Sequence, residues 1–280
     1  MSARAWLITG CSTGFGREIA KAALARGERV AVTARRVEAV EDLVSAHPDQ
    51  AIACALDVTS PDQIREAVSA AERAFGGIDV LVNNAGYGYM AALEEGEDEE
   101  VRRLFETNYF GVVNTLKAVL PGMRARRRGH VVNMSSMTGL VTNPPNIYYS
   151  STKYALEALT EGLAKEVAPF GIRVTAIEPG AFRTDWATRS MKESAAPIED
   201  YAETVGARKE LIKAFADHLP GDPRKVAEAV ILVTELEEPP LHLLLGPDVL
   251  GAFREKLAEL TKMVDEWEKV TTDVNFPPEA

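Results

Sequence analysis

Cysteine is scarce in this 280-residue chain: only Cys11 and Cys54 are present, in or beside two predicted strands. A disulfide framework needs more, so the chain reads as one built for a reducing cytoplasm. Histidine is equally sparse. His47, His130, His218 and His242 show no spacing that would gather metal ligands, and no metal is expected. No apolar run approaches about 18 residues, which excludes a membrane-spanning helix. The N-terminus enters a strand directly, with neither a charged leader nor a cleavage site, and no export signal is expected. Positive charge is in deficit, with 31 Lys and Arg against 42 Asp and Glu and a formal net charge of −11. That balance disfavours nucleic acid and anionic membranes as partners. The basic run Arg124–Arg128 goes against the trend and reads as a solvated helix end.

What is present is an alternation of short apolar strands with longer amphipathic helices. Strands are predicted at Ala5–Gly10, Arg29–Ala34, Ala51–Leu56, in "IDVLVNNA", in "HVVNMSS", in "IRVTAIEPG" and in "LHLLLG". Helices are predicted at Gly14–Arg26, after Ser60-Pro61, at Asp98–Arg127, Tyr148–Val167, Pro223–Leu236 and Val249–Val270. The pattern predicts βαβ units and a single α/β domain over 1–280. It is a doubly wound Rossmann fold whose seven-stranded parallel sheet has the order 3-2-1-4-5-6-7. The stretch 182–220 is too long for a simple loop and is expected to be a helical substrate-binding insertion. Residues 249–270 add a C-terminal helix, and the last ten residues are expected to be irregular.

The first strand ends in Gly10-Cys11-Ser12-Thr13-Gly14-Phe15-Gly16, immediately before a helix. Glycines there permit a tight turn and close approach of a pyrophosphate, and a helix N-terminus offers free N–H groups. The spacing G-x-x-x-G-x-G differs from the G-x-G-x-x-G of many dinucleotide folds. The second strand ends in Ala34-Arg35-Arg36, where an acidic residue would select NAD. Guanidinium groups can instead pair with a 2′-phosphate, which predicts NADP(H); the alternative is a solvated strand end.

Tyr149 and Lys153 are four apart on a predicted helix and so share a face. Ser136 lies at the carboxyl end of the fifth strand, where open α/β sheets bind their ligands. Asn108 is a polar amide among apolar neighbours, and a buried capping amide is one reading of it.

In order along residues 5–245, T-G-x-x-x-G-x-G at Thr9–Gly16, Asn83-Asn84-Ala85-Gly86, Asn108, Ser136, Y-x-x-x-K at Tyr149–Lys153, and Pro179-Gly180 with Thr184 resemble the short-chain dehydrogenase/reductase family. The "GCSTGFGREIA" loop and the long tail look like its hydroxysteroid- and retinol-dehydrogenase-like branch. The resemblance implies an NADP(H)-dependent oxidoreductase that interconverts a secondary alcohol and a ketone or aldehyde. It makes Tyr149 the general acid/base, acidified by the Lys153 ammonium and by the oxidised nicotinamide. Lys153 would also hold the nicotinamide ribose, Ser136 would donate to the substrate oxygen, and Asn108 would hold a relay water. Cofactor contacts would come from Gly10, Ser12, Thr13, Gly14, Phe15, Gly16, Arg35, Arg36, Asp57, Val58, Asn84, Ala85, Gly86, Tyr149, Lys153, Pro179, Gly180, Phe182 and Thr184. For Asp57 a turn, and for Pro179-Gly180 a strand end, remain alternatives.

Tyr87, Met137, Ile147 and Trp186 are the leading candidates for the substrate pocket. Tyr89, Met90, Leu140, Val141, Pro144, Phe182 and Met191 are further apolar candidates, with Leu140 and Val141 more in keeping with core. Such a lining suits a lipophilic carbonyl compound. The C-terminal helix replaces the ending typical of tetrameric relatives, which leaves a homodimer through Asp98–Arg127 and Tyr148–Val167 as the expected assembly. An NADP(H)-binding redox sensor without turnover and a nucleotide-dependent isomerase or epimerase are the rival readings.

Overall fold

The computed structural model describes residues 3–184 and 189–276, apart from the side chain of Asp217. Its main sheet has seven parallel strands: β1 (Ala5–Ile8), β2 (Arg29–Ala34), β3 (Ala51–Ala55), β4 (Val80–Asn83), β6 (Gly129–Met134), β7 (Ile172–Pro179) and β9 (His242–Leu245). They lie in the order β3-β2-β1-β4-β6-β7-β9. With the two short strands below left out, this is the order expected from sequence.

Alternation along each strand sends successive side chains to opposite faces. Trp6 and Ile8 of β1 point into one layer with α1 (Gly14–Ala25) and α8 (Pro223–Glu235), while Leu7 points into the other. That second layer is made by α3 (Pro61–Phe75), α5 (Gly111–Arg126) and α6 (Ile147–Val167). Both faces are covered, which is why these strands read as continuous apolar runs. A short α2 (Glu41–Ala46) follows β2. The start of α3 shows how locally the elements are encoded: Ser60 Oγ accepts the Gln63 N–H, Pro61 occupies the first turn, and Gly76 ends the helix at φ +81°.

Three features depart from the expected pattern. The helix expected over Asp98–Arg127 is α4 (Asp98–Phe105) joined to α5 by a π-helical turn at Glu106–Phe110. Asn108 sits in that turn, and such turns often mark functional positions. A second, two-stranded parallel sheet pairs β5 (Gly88–Met90) with β8 (Met191–Glu193). It fastens the insertion to the segment after β4, and its strands are too short to show a period in sequence. The insertion also carries a π turn at Ala202–Gly206 and α7 (Ala207–Phe215). Finally, α9 spans Pro247–Thr272, so the expected irregular tail begins inside a helix. Among the described residues, no helix is long and apolar enough to cross a membrane.

Candidate active site

The glycine loop is shaped by a neighbouring asparagine. Gly10 and Gly14 take φ values of +75° and +61°, where a side chain brings strain. Gly16 is needed for space: a Cβ there would stand 2.4 Å from both Asn84 Nδ2 and Gly10 O. Asn84 Nδ2 donates to Thr9 O at 2.9 Å and to Gly10 O at 3.0 Å. Thr9 Oγ1 in turn accepts the N–H groups of Asn84 and Ala85, both at 2.9 Å. Loop and Asn84-Ala85-Gly86 segment therefore form one unit at the carboxyl ends of β1 and β4. Thr13 precedes α1 without a side-chain cap, which leaves the first-turn N–H groups for a ligand. Ser12 is half-buried beside it. Phe15 packs edge-on against Phe182, with centroids 5.6 Å apart, tying the loop to the start of the insertion.

Arg35 and Arg36 are exposed beyond β2, and neither side chain bonds to a described residue. A third cation, overlooked in the sequence, stands at the loop: Arg189 Nη2 donates to Thr13 Oγ1 at 2.5 Å. The two are 176 positions apart, and no local motif announces the contact. Thr184 reaches the loop as well, since a Cβ on Gly14 would lie 3.9 Å from its Cβ. Asp57 spends its Oδ1 on the N–H and hydroxyl of Thr59, closing its own turn, as the alternative reading has it. Val58 is buried against Gly111. Pro179 is buried, and Gly180 donates its N–H to Leu245 O at 2.9 Å. Asp248, at the start of α9, accepts the Ala181 N–H at 2.7 Å and leaves no room for a Cβ on Gly180.

Tyr149, Lys153 and Ser136 converge as expected. Ser136 caps a one-turn helix at Met137–Gly139, where its Oγ accepts from the N–H and the hydroxyl of Thr138, both at 3.1 Å. It also hydrogen-bonds Tyr149, whose phenol burial pushes well above its ordinary value; the bond to Ser136 opposes that rise. Lys153 stands one helical turn from Tyr149 and makes its hydrogen bond to the main chain. Its Nζ lies 5.6 Å from the Tyr149 ring centroid and donates to Met134 O at 2.7 Å. Burial pulls Lys153 down to about 8, against the charge of Glu157. Asn108, 1% exposed, uses its amide on protein groups. Oδ1 accepts the Tyr87 N–H at 3.1 Å, and Nδ2 donates to Tyr87 O at 2.9 Å and to Thr152 Oγ1 at 3.2 Å. These contacts are those of the buried capping amide.

A cleft of about 310 Å³ opens between Ala91–Leu93, Thr142–Pro145, Ile147 at the start of α6, and the insertion's Tyr201 and Val205; Ser136, Tyr149 and Lys153 are not among its lining residues. Ile147, Pro144 and residues of the insertion are among its lining. Met137 is half-buried on the capped turn, and Leu140 and Val141 are half-buried and so are not core. Tyr87 is held by Glu100, which accepts its hydroxyl at 2.7 Å. Tyr89 and Met90 are 0% and 1% exposed and are packing residues of the small sheet, not pocket lining; alternation in so short a strand cannot be read from sequence. Trp186 lies outside the described residues.

Comparison with known proteins agrees with this geometry. Residues 4–195 match the short chain dehydrogenase family. The chain is 40% identical over 268 residues to the oxidoreductase BOA17 of Botryotinia fuckeliana, covering 95% of this chain and 97% of that protein. It is 37% identical to a 3-ketodihydrosphingosine reductase of Bacteroides thetaiotaomicron, covering 88% and 89%. A crystal structure of a short-chain dehydrogenase from Streptomyces avermitilis superposes with a TM-score of 0.92 at 45% identity, covering 98% and 100%. Two further solved relatives, 28% and 27% identical to the chain, hold NADP and NADH respectively. Loop, strand order and Ser136–Tyr149–Lys153 arrangement, together with these likenesses, lead to one conclusion: the chain belongs to the short-chain dehydrogenase family.

Proposed function

We propose that the protein interconverts a lipophilic ketone or aldehyde and its alcohol with NADP(H), as a carbonyl reductase. The observation that carries this reading is the buried Tyr149 hydroxyl bonded to Ser136, with Lys153 one helical turn behind. In the reducing direction Tyr149 gives its proton to the substrate oxygen, and in the oxidising direction it takes one. Ser136 donates to the same oxygen and steadies its developing charge. Lys153 works as an ammonium whose field makes the phenolate less costly once the substrate oxygen has been protonated. NADP(H), when bound, supplies or accepts the hydride.

The glycine loop fits that cofactor, because Gly10 and Gly14 turn at positive φ and the uncapped first turn of α1 offers its N–H groups. Arg35 and Arg36 favour the 2′-phosphate form, being exposed and uncommitted, and Arg189 adds charge on the other side of the loop. The apolar lining of the cleft favours a lipophilic substrate, as does a relative named for a keto compound. On this reading the chain works as one unit, with 182–220 holding the substrate. Two buried, unpaired cysteines suit the cytoplasm. A homodimer through α4, α5 and α6 is supported at α4 by a surface groove lined by Val101, Phe105 and the exposed Phe110.

The test is loss of NADPH absorbance with a panel of hydrophobic ketones and aldehydes, with NADH as control and Tyr149→Phe beside wild type. Turnover with NADPH that the variant loses by about 1,000-fold or more is expected, the scale of a missing general acid/base. Tight NADPH binding without turnover of any carbonyl would favour the sensor, and turnover that survives Tyr149→Phe would sink the assignment.

A further inference from the structure

The stripe of α6 that carries Tyr149 and Lys153 continues at the same four-residue spacing to Glu157 and Glu161. Glu157 is 6% exposed, and it meets Glu178 of β7, which is 0% exposed. His242 of β9 completes the group. Its Nδ1 lies 2.7 Å from Glu178 Oε1 and 3.4 Å from Glu157 Oε2, and its Nε2 lies 3.6 Å from Glu161 Oε1. His242 is one-third exposed and Glu161 half exposed, so the group runs from the buried face of α6 to water. The Ser135 hydroxyl stands beside Glu157; a Cβ on Gly139 would crowd both.

Two ionised carboxylates so placed would be under-supplied with donors. Among the described residues, no well-aligned donor reaches either oxygen of Glu157 or Glu178 Oε2, and beside Glu157 stand only the Ser135 hydroxyl and, at 3.4 Å, His242 Nδ1. A proton held on the pair is the donor that is missing. Burial pushes both carboxyls above the ordinary range; for Glu157 the charge of Glu178 adds to the rise, while Ser135, His242 and Lys153 oppose it. Lys153 poses the converse problem, a buried ammonium whose nearest opposing charge is Glu157.

We propose that Glu157 and Glu178 hold one proton between them, and that the single negative charge they share is the counterion that keeps Lys153 an ammonium, with His242 and Glu161 linking the pair to solvent. The inference rests on the role given to Lys153 above. The acids are positioning residues, since they act on the chemistry through the lysine. The groups facing the pair are Lys153 and Glu161 on α6, Ser135 after β6, and His242 on β9. The shared proton is not consumed in turnover; as pH rises it leaves to water by way of His242. Glu157, Glu178 and His242 also present atoms within 4.8 Å of one another, as a cation site would. The adjacent Lys153 ammonium disfavours a divalent cation there and favours a proton.

Two isosteric variants separate this role from packing. Glu157→Gln removes the charge nearest Lys153, so the high-pH limb of kcat/KM moves to lower pH by about one unit or more. Glu178→Gln leaves Glu157 a full carboxylate with a new amide donor, so the limb stays or moves upward. A packing role would not split two touching residues in this way, and equal shifts, or none, would overturn the proposal. A readout without catalysis is the infrared carbonyl band of a protonated, buried carboxylic acid at neutral pH, expected in wild type and lost in either variant. Absence of that band in wild type overturns the shared proton, as does stoichiometric divalent metal in the purified protein that Glu157→Gln removes. Survival of activity in Tyr149→Phe would defeat the proposed function while leaving the infrared result standing.

Discussion

The two sides of the active site are built by different means. On the cofactor side, strands at or near zero exposure carry the glycine loop, and main-chain groups, Thr9 and Asn84 tie it to the Asn84–Gly86 segment. On the substrate side, the small β5–β8 sheet and α7 are attached by polar contacts reaching across the chain. Leu211 and Phe215 of α7 stay 45% and 56% exposed. The centre of that attachment is Lys209. Its Nζ donates to Glu95 Oε2 at 2.9 Å and to Ser194 Oγ at 2.8 Å, and Glu95 also accepts the N–H groups of Ala92 and Ile198. A frame held by apolar burial tolerates change at any one contact, whereas a part held by a few polar contacts, of which Lys209–Glu95 is the most buried, depends more on each. Substrate preference can therefore drift in such a fold while the cofactor side stays as it is.

The largest effect follows from breaking the Lys209–Glu95 pair. Lys209→Met leaves Glu95 buried and charged, a loss on the scale of about 3–5 kcal/mol for one partner of a buried pair. The expected outcome is rapid limited proteolysis within 194–220 and a raised KM, with NADPH affinity unchanged. Acid should do the same to wild type. Burial alone would raise Glu95, but the N–H groups of Ala92 and Ile198 and the Lys209 ammonium hold it down to about 2. A depressed carboxyl contributes stability above its unfolded value, here 4.5, and that contribution fades as pH falls toward 2. Cleavage at equal rates across that range, or NADPH affinity falling in step with KM, would mean that the two sides are not independent.

Next in size is the reverse cut. Gly16→Val puts side-chain atoms where Asn84 Nδ2 and Gly10 O stand, and Asn84 must let go of Thr9 and the loop. NADPH affinity, read by fluorescence titration, is expected to fall on the order of 100-fold, the scale of a displacement near 1 Å in a positioned site. Proteolysis of the insertion should not change. Wild-type affinity in this variant would mean that the loop does not hold the cofactor.

The same contrast explains what could be read from the chain. The glycine loop and the Tyr149–Lys153 face are legible because each lies within one turn or one helix, where spacing carries geometry, and the strand order follows from the strand–helix alternation. The Lys209–Glu95 pair joins residues 114 positions apart, and a lone lysine on an amphipathic helix looks like any solvated one. Glu157, Glu178 and His242 come from three elements, so the rule that metal or proton clusters show short spacings could not find them. Two faint signals were there: an acid four residues past Lys153 on the buried face, and an acid inside the apolar strand "IRVTAIEPG". Tyr89 and Met90 read as pocket lining in the sequence because a three-residue strand has no period to show that they face inward.

The finest distinction concerns a cation that belongs to both sides. Arg35 and Arg36 stand on the cofactor side alone, so removing both should weaken NADPH about tenfold or more, the scale of a lost charged hydrogen bond, and spare NADH. Arg189 comes from the insertion, two positions before β8, yet donates to Thr13 in the loop. It is exposed, so water screens its charge and the direct effect of Arg189→Ala on NADPH should be only a few-fold. Its position makes a second effect the informative one. If Arg189 couples the insertion to the loop, bound NADPH should slow limited proteolysis of 194–220 in wild type and lose that protection in Arg189→Ala, while in Arg35→Ala/Arg36→Ala saturating NADPH still protects. Protection that persists without Arg189 would assign the coupling to the remaining bridges between loop and insertion, such as the Phe15–Phe182 contact.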